Sequence, residues 1–271
     1  SAGAADAQVD PVRPYVFMTP PTAGVVAEQL LRYFRASGMT RMAVAHDATS
    51  LFSRTGLAKH EAMAGDHGVE FVSRHVFSTG TTDFGGLLSA VAGSGAQGLM
   101  VWATGPPPVA ITGPFAGAGL GIPLVMSHGA ATRDYLAGAG AAAEGVVVAT
   151  SLAVAGPALP DSPVRDTVLR MAGPFTELHG RYPSQFAFDG YGAVRLIAAA
   201  IERAGSDEPR SIQRELTRLT LLTPEGRYRY TPTDHAGLRV DDVAVTVVRD
   251  GAFALTDWSR TQLERTLAES S

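Results

Sequence analysis

Cysteine is absent from the 271 residues, which removes disulfides, thiolate zinc sites and a cysteine nucleophile, and leaves the redox compartment open. Lysine occurs once, at Lys59, and asparagine not at all, a compositional bias to which no chemistry attaches. Charge of one sign is scarce as well: 22 basic against 26 acidic side chains leave a net charge of -4. These charges are scattered, without the Lys/Arg stripe that a phosphate backbone requires, so nucleic acid is not an expected partner. No uninterrupted apolar run reaches the ~20 residues of a membrane-spanning helix, because Gly, Pro, Arg or Asp breaks each one. Residues 1–10 contain no Met, no basic start and no apolar stretch, so they do not read as a signal peptide, and the chain is expected to have been processed, trimmed or cut from something larger.

Enzyme signatures are missing too. There is no P-loop, no Gly-x-Ser-x-Gly elbow, no His-Glu-x-x-His and no Gly-x-Gly-x-x-Gly after a strand. His46, Asp47, His60 and His67 lie close in sequence, but their spacing does not bring three ligands to one point. No catalytic residue, metal site or cofactor is therefore assigned. What the chain does have is apolar material: 45% hydrophobic and 18% charged residues suit a packed core and argue against disorder. Its length fits one large or two ordinary α/β domains.

The apolar periodicity alternates between helix and strand. Val25, Val26, Leu30, Leu31 and Phe34 share one helical face over Thr22–Ser37, with Thr22 placed to cap the start and Gly38 to stop it. Met42–His46 is a short buried-strand run. Leu57–Asp66 then reads as a helix, Val69–Phe77 as a strand, Asp83–Ala92 as a helix capped by Thr82, and Gly98–Ala103 as a strand. Pro108–Gly119 (helix), Pro123–Ser127 (strand), Thr132–Ala137 (helical turn) and Val146–Ser151 (strand) complete the series. Such alternation predicts a parallel sheet covered on both faces. Beyond Ser151 the texture changes to helices over Val164–His179, Ser184–Ala204 and Pro209–Leu219, which need a sheet to cover and are expected to pack on a second lobe. Gly226–Tyr230 and Asp242–Ala254, with Asp250-Gly251 between apolar runs, predict a closing β-hairpin.

In open α/β sheets the ligand crevice lies at the carboxyl ends of the strands. That rule nominates Asp47–Ser53, Ser78–Thr82, Thr104–Pro107 and Ser127–Gly129, loops rich in hydroxyls and glycine with an aromatic or imidazole group. Each can equally be a plain turn.

Several stretches carry a resemblance. They are Tyr15-Val16-Phe17-Met18-Thr19 before a helix, Gly38 to Asp47, and Phe77-Ser78-Thr79-Gly80-Thr81-Thr82-Asp83-Phe84. Further along come Ala143-Glu144-Gly145-Val146, Phe186 to Val194, Ala200 to Gly205, and Thr231-Pro232-Thr233-Asp234-His235. In this order and over nearly the whole chain, the sequence resembles the leucine/isoleucine/valine-binding family of periplasmic binding proteins. The resemblance implies an α/β fold of two doubly wound parallel-sheet lobes joined by a hinge. It also implies opening βα units before Tyr15 that have no counterpart here, so the first lobe is expected to be incomplete. Residues 1–37 would be part of the N-terminal lobe and the hinge entry, 38–151 a complete C-terminal lobe, 152–220 helices returning to the N-terminal lobe, and 221–271 a hinge strand with the closing hairpin. Tyr15–Thr19 and the segments near Ser151 and Leu222 would join the lobes.

For function, the resemblance implies the substrate-binding component of an ABC transporter. It would capture a small solute, a branched-chain or other amino acid or related carboxylate, by hinge closure and deliver it to membrane permease subunits. The protein would be exported, periplasmic or a cell-surface lipoprotein, and not an enzyme. Glu144 matches an acid that pairs with a ligand ammonium in amino-acid-binding relatives, against the alternative of a solvated loop acid. Phe52-Ser53 stands where a Tyr-Gly pair is usual, making that wall more apolar. Trp102, Thr104 and Pro106 match another pocket wall, although Trp102 can equally be core. His128 can donate to a ligand carboxylate or to a backbone carbonyl. A sensory module of the same fold and an α/β enzyme are the alternatives.

Overall fold

A computed structural model describes residues 4–268 of the protein. The chain enters through α1 (Ala23–Ala36) and then alternates: β1 (Arg41–Asp47), α2 (Leu51–Ala64), β2 (Glu70–Phe77), α3 (Gly85–Gly93), β3 (Leu99–Trp102), α4 (Pro106–Ala118), β4 (Leu124–Met126), α5 (Arg133–Ala139) and β5 (Val147–Ser151). Four helices follow, α6 (Leu152–Ala155), α7 (Pro163–His179), α8 (Gln185–Ala204) and α9 (Pro209–Leu216). The hairpin β6 (Thr220–Thr223) and β7 (Gly226–Arg229), the hairpin β8 (Val243–Arg249) and β9 (Ala252–Leu255), and α10 (Asp257–Ala268) complete the chain.

Seven strands form one sheet in the order β2-β1-β3-β4-β5-β8-β9. The first five are parallel; β8 runs antiparallel to β5, and β9 antiparallel to β8. The five strands expected from the alternating pattern are all present. The near-total burial of β3, β4 and β5 explains why they read as continuous apolar runs, since the middle of a parallel sheet is covered on both faces, whereas β2 at the edge is only partly buried. One face packs Val26, Leu30, Leu31 and Phe34 of α1 against Met42, Val44, Met100 and Trp102. The opposite face packs Leu88, Val91, Ile111 and Tyr135 from α3, α4 and α5 against Ala43, Val101, Leu124 and Met126. Each fully buried side chain of this size is worth roughly 1.5–3 kcal/mol of transfer free energy, which is what commits the strands to the interior.

Helix boundaries follow local chemistry. Thr22 Oγ1 accepts the Val25 amide at 3.2 Å, the expected cap, and Gly38 leaves α1 at a φ of 72°. α2 begins six residues before the expected Leu57, capped by Ser50. Its inward face is Ser53, Gly56, His60 and Ala64, too small and polar to register as an apolar stripe. α3 begins at Gly85, and the acceptor for that amide is Asp83 Oδ1 at 2.8 Å, not the expected Thr82. α4 opens on Pro106, two residues early, because a first-turn proline forfeits only a hydrogen bond that the helix cannot make.

Three features depart from expectation. The Asp250-Gly251 turn is there, with both residues at positive φ (52° and 70°), as a two-residue hairpin turn requires, but its strands extend the main sheet beyond β5. Gly226–Arg229 pairs instead with β6, a four-residue strand too short to stand out in sequence. α10, polar along most of its length, buries Leu263 and Leu267 and sets Trp258 edge-on against Tyr33 of α1 at 5.6 Å. Helices α7 to α9 gather around Phe188, Leu196 and Ala200 with Tyr228 and Tyr230. Among the described residues, the strands outside the main sheet are β6 and β7 alone, so the second parallel sheet expected beneath these helices is not among them, and Val194, Ile197 and Ile201 on α8 stay exposed.

α2 approaches β3 so closely that a Cβ on Gly56 would fall 2.1 Å from the Trp102 ring. Gly56→Ala is predicted to destabilise the fold by ~1–3 kcal/mol in urea denaturation. An unchanged midpoint would mean that α2 is free to back away from the sheet.

Candidate functional site

The order β2-β1-β3 places a switch point between β1 and β3, where the chain leaves neighbouring strand ends in opposite directions and opens a crevice. The loop after β1 is folded back on itself. Asp47 Oδ1 accepts the Thr49 amide and hydroxyl at 2.9 and 2.6 Å, and Oδ2 accepts the Thr79 hydroxyl. Burial works against ionisation there, yet these bonds hold the Asp47 carboxyl below its usual range. Asp47 is thus spent on loop geometry, and Phe52, at the start of α2, lines the crevice.

A cavity of about 210 Å³ lies at these strand ends. Phe52, Thr104, His128 and Gly129 line it from the sheet side, Pro20 and Ala4 from the entering chain, and Gln185, Phe186 and Asp189 of α8 face them from across the gap. Gly129 has no room for a side chain: a Cβ would sit 2.2 Å from the Ala103 carbonyl oxygen, so the loops after β3 and β4 touch through it. A second hollow of about 360 Å³ adjoins through Thr104, Gly129 and Phe186 and includes Pro106. Together they fall within the ~300–1,000 Å³ common for small-molecule sites.

Of the sequence-nominated residues, Phe52, Thr104 and His128 converge on the first cavity and Pro106 on its neighbour. Trp102 is fully buried and lies behind the wall: its Nε1–H donates to His60 Nδ1 at 2.9 Å, and its ring meets Phe52 edge-on at 5.6 Å. Glu144 is not brought to this cluster. It precedes β5, at the opposite end of the sheet, is exposed, and accepts the Asp250 amide at 3.3 Å. The match over Ala143-Glu144-Gly145-Val146 does not record which end of a strand the acid occupies, and here it precedes the amino end of β5. The α8 wall was not nominated as pocket; its signal was Ser184 before an apolar helix, which marks a helix start and not what that start faces.

Two buried side chains give the cavity its chemistry. His128 is 5% exposed, and neither ring nitrogen has a hydrogen-bond partner; burial pushes its pKa down to about 3, so the imidazole is neutral. Phe52 meets that ring edge-on at 5.0 Å. Asp189 is fully buried with both oxygens unpartnered, and burial pushes it up to about 6. Orphaned polar groups at this depth are costly unless something satisfies them. Larger hollows exist elsewhere, one of about 310 Å³ between Phe17, Leu196 and Tyr230 and one of about 550 Å³ beside Arg133, Arg181 and Tyr182. Neither has an unpartnered buried polar side chain on its wall. Among the described residues no three His, Asp or Glu side chains are grouped to hold a metal ion.

The chain belongs to the periplasmic binding protein family, whose model matches residues 1–252. No curated protein matches it. Among solved structures, an extracellular ligand-binding receptor from Rhodopseudomonas palustris HaA2 is 22% identical with a TM-score of 0.84, over 93% of this chain and 73% of that one. An ABC transporter solute-binding protein from R. palustris, solved in complex with benzoate, is 16% identical with a TM-score of 0.79, over 93% and 68%. A leucine-binding protein from Thermotoga maritima is 20% identical with a TM-score of 0.78, over 90% and 67%. At these identities the likeness establishes the fold.

His60, like His128, is buried and pushed down to about 3 from 6.5. A histidine depressed in the folded state binds its proton only on unfolding, so its contribution to stability is complete above the unfolded value and is lost as pH falls from 6.5 toward 3. Asp189 and Asp242, each raised to about 6, act in the opposite sense between 6 and 3.8. The prediction is therefore a difference: His60→Gln should gain on the wild type by up to about 1.4 kcal/mol per pH unit between pH 6 and 4 in urea denaturation. Parallel curves would show that His60 titrates normally in the fold.

Proposed function

We propose that the protein is the solute-binding component of an ABC transporter and that it takes a small carboxylate-bearing solute, an amino acid or a related acid, between the strand-end loops and α8. One observation carries this reading: the neutral, unpartnered imidazole of His128 and the start of a 20-residue helix close on the same small cavity from opposite sides. First-turn amides of a helix lack intrahelical acceptors and favour an anion. The amides of Gln185 and Phe186 together with an N–H of His128 would grip a carboxylate, while Phe52, Phe186 and Pro20 enclose the apolar body. Thr104 adds a hydroxyl whose present bond, to the Gly129 carbonyl, is long at 3.5 Å.

Family membership supports the reading, as do the neighbours that carry benzoate and leucine-binding descriptions. Exchange with membrane permease subunits and export from the cytoplasm follow from the same reading; no helix among the described residues is long and apolar enough to cross a membrane. The main sheet and the α7–α9 layer are joined near Thr19–Thr22, Ser151–Gly156 and Arg239–Val243, and movement about these connections would open and close the gap. Contacts made on both walls only when the gap is shut would drive closure.

Isothermal titration calorimetry with a panel of amino acids and simple carboxylic acids tests this. At least one should bind, and Phe52→Ala and His128→Ala should each weaken it by about tenfold or more. Binding that neither substitution affects would place the site elsewhere.

A further inference from the structure

Tyr228 has one hydrogen and two claimants. Its hydroxyl donates to the Thr19 carbonyl of the entering chain, and the same oxygen stands 3.0 Å from Glu225 Oε2. A carbonyl only accepts and a phenol carries a single O–H, so the second contact is a full bond only if Glu225 supplies a hydrogen of its own or draws the Tyr228 hydrogen away from Thr19. The protonation state of Glu225 therefore decides whether Tyr228 holds the entering chain. Glu225 lies in the turn between β6 and β7 and is fully buried. Its amide donates to Thr223 Oγ1 at 3.3 Å, and the Thr223 hydroxyl donates to the Gly226 carbonyl at 3.3 Å, which pins the turn. No ion pair joins Glu225 to an arginine or lysine among the described residues.

The groups that face Glu225 are acids and phenols. Asp189 acts on it from α8, Tyr228 from β7, and Asp242 from the turn before β8, while Tyr230 lies just beyond β7. Asp242 stands so close to the turn that a Cβ on Gly226 would strike its carboxyl, and the Arg239 charge acts on Asp242. Gly192 of α8 and Thr19 of the entering chain bring no charge. Burial, and after it the charge of Asp189, push Glu225 well above the usual carboxyl range. Burial raises Asp189 as well, to about 6, but a Glu225 hydrogen bond and the chain's amino-terminal charge both pull it down. At neutral pH, then, Asp189 is ionised and the proton stays on Glu225.

We propose that Glu225 is a proton-held latch on the entering chain: protonated in the folded protein at neutral pH, it leaves the Tyr228 hydrogen to Thr19, and deprotonated it claims that hydrogen and releases Thr19. A carboxylate outcompetes a carbonyl for a shared donor, because charge-assisted hydrogen bonds are roughly twice as strong as neutral ones. Thr19 leads directly into Pro20 on the cavity wall and into Thr22, the cap of α1, so the latch sits on one of the connections between the sheet and the α7–α9 layer. Met18 keeps its separate bond from Tyr230, so release loosens this segment without detaching it. Any opening that brings water to Glu225 returns it to an ordinary carboxyl and frees its proton. The latch is therefore complete below the usual value of 4.5 and is lost as pH climbs through the raised one. It is independent of where the solute sits.

Infrared spectroscopy and urea denaturation of the wild type and Glu225→Gln test the proposal, since a glutamine amide donates to the Tyr228 oxygen as the acid does but cannot ionise. At about pH 7.5 the wild type should show the band of a protonated carboxyl, and Glu225→Gln should lack it. Between about pH 6.5 and 8.5, above the values to which Asp189 and Asp242 are raised, the wild type should lose up to about tenfold in its folding equilibrium constant per pH unit relative to the variant. A wild-type spectrum without the band would overturn the proposal, as would stability curves that stay parallel over that interval. If the glutamine variant does not fold, the wild-type spectrum decides alone.

Discussion

The geometry of the cleft depends on how the chain leaves the sheet at Ser151. A strand end that runs directly into a buried turn exposes backbone groups that water cannot reach, and the fold satisfies them from the segment that leads into α8. Gln185, itself buried, takes the Ser151 amide on its side-chain oxygen at 3.4 Å. Tyr182 donates its hydroxyl to the Ala153 carbonyl at 2.8 Å, close enough that Gly156 could not carry a Cβ without striking that ring. These contacts fasten the start of α8 over the strand ends, and with it Phe186 and Asp189. Without them the loops of the sheet would face no opposing wall.

A similar economy holds the entering chain. The described residues before α1 form no strand, yet the Tyr230 hydroxyl donates to the Met18 carbonyl at 2.7 Å, the Tyr228 hydroxyl donates to the Thr19 carbonyl, and the Phe17 and His235 rings stack at 4.0 Å. Tyr228 therefore lies against both the entering chain and the buried Glu225 of the β6–β7 turn.

The alternating core was legible in the sequence because parallel strands bury both faces and helices bury one. The five strands and α1 stand out on that ground alone. α2 was read short because its buried face is glycine, serine and histidine fitted around Trp102, and neither small nor polar residues contribute to an apolar period. β6 and α10 escaped notice for related reasons, the one only four residues long and the other anchored by few apolar side chains. Strand-end logic nominated Phe52, Thr104 and His128, which the fold gathers around one cavity, since strand direction and switch point are properties of the pattern. Glu144 came from the match over Ala143-Glu144-Gly145-Val146 and lies before the amino end of β5. Asp189 offered no local signal: an aspartate inside a helix reads as a surface residue, and its complete burial is a tertiary property.

The account turns on the space between the strand-end loops and the first two turns of α8 being where a solute is held. A crystal structure of the protein grown with a saturating amino acid tests that directly. The account predicts density between His128 and the first two turns of α8, flanked by the Phe52 and Phe186 rings. A solute seated in the hollow beside Phe17 and Tyr230, or in the groove beside Arg133 and Arg181, with the His128–Asp189 space holding only water, would contradict it.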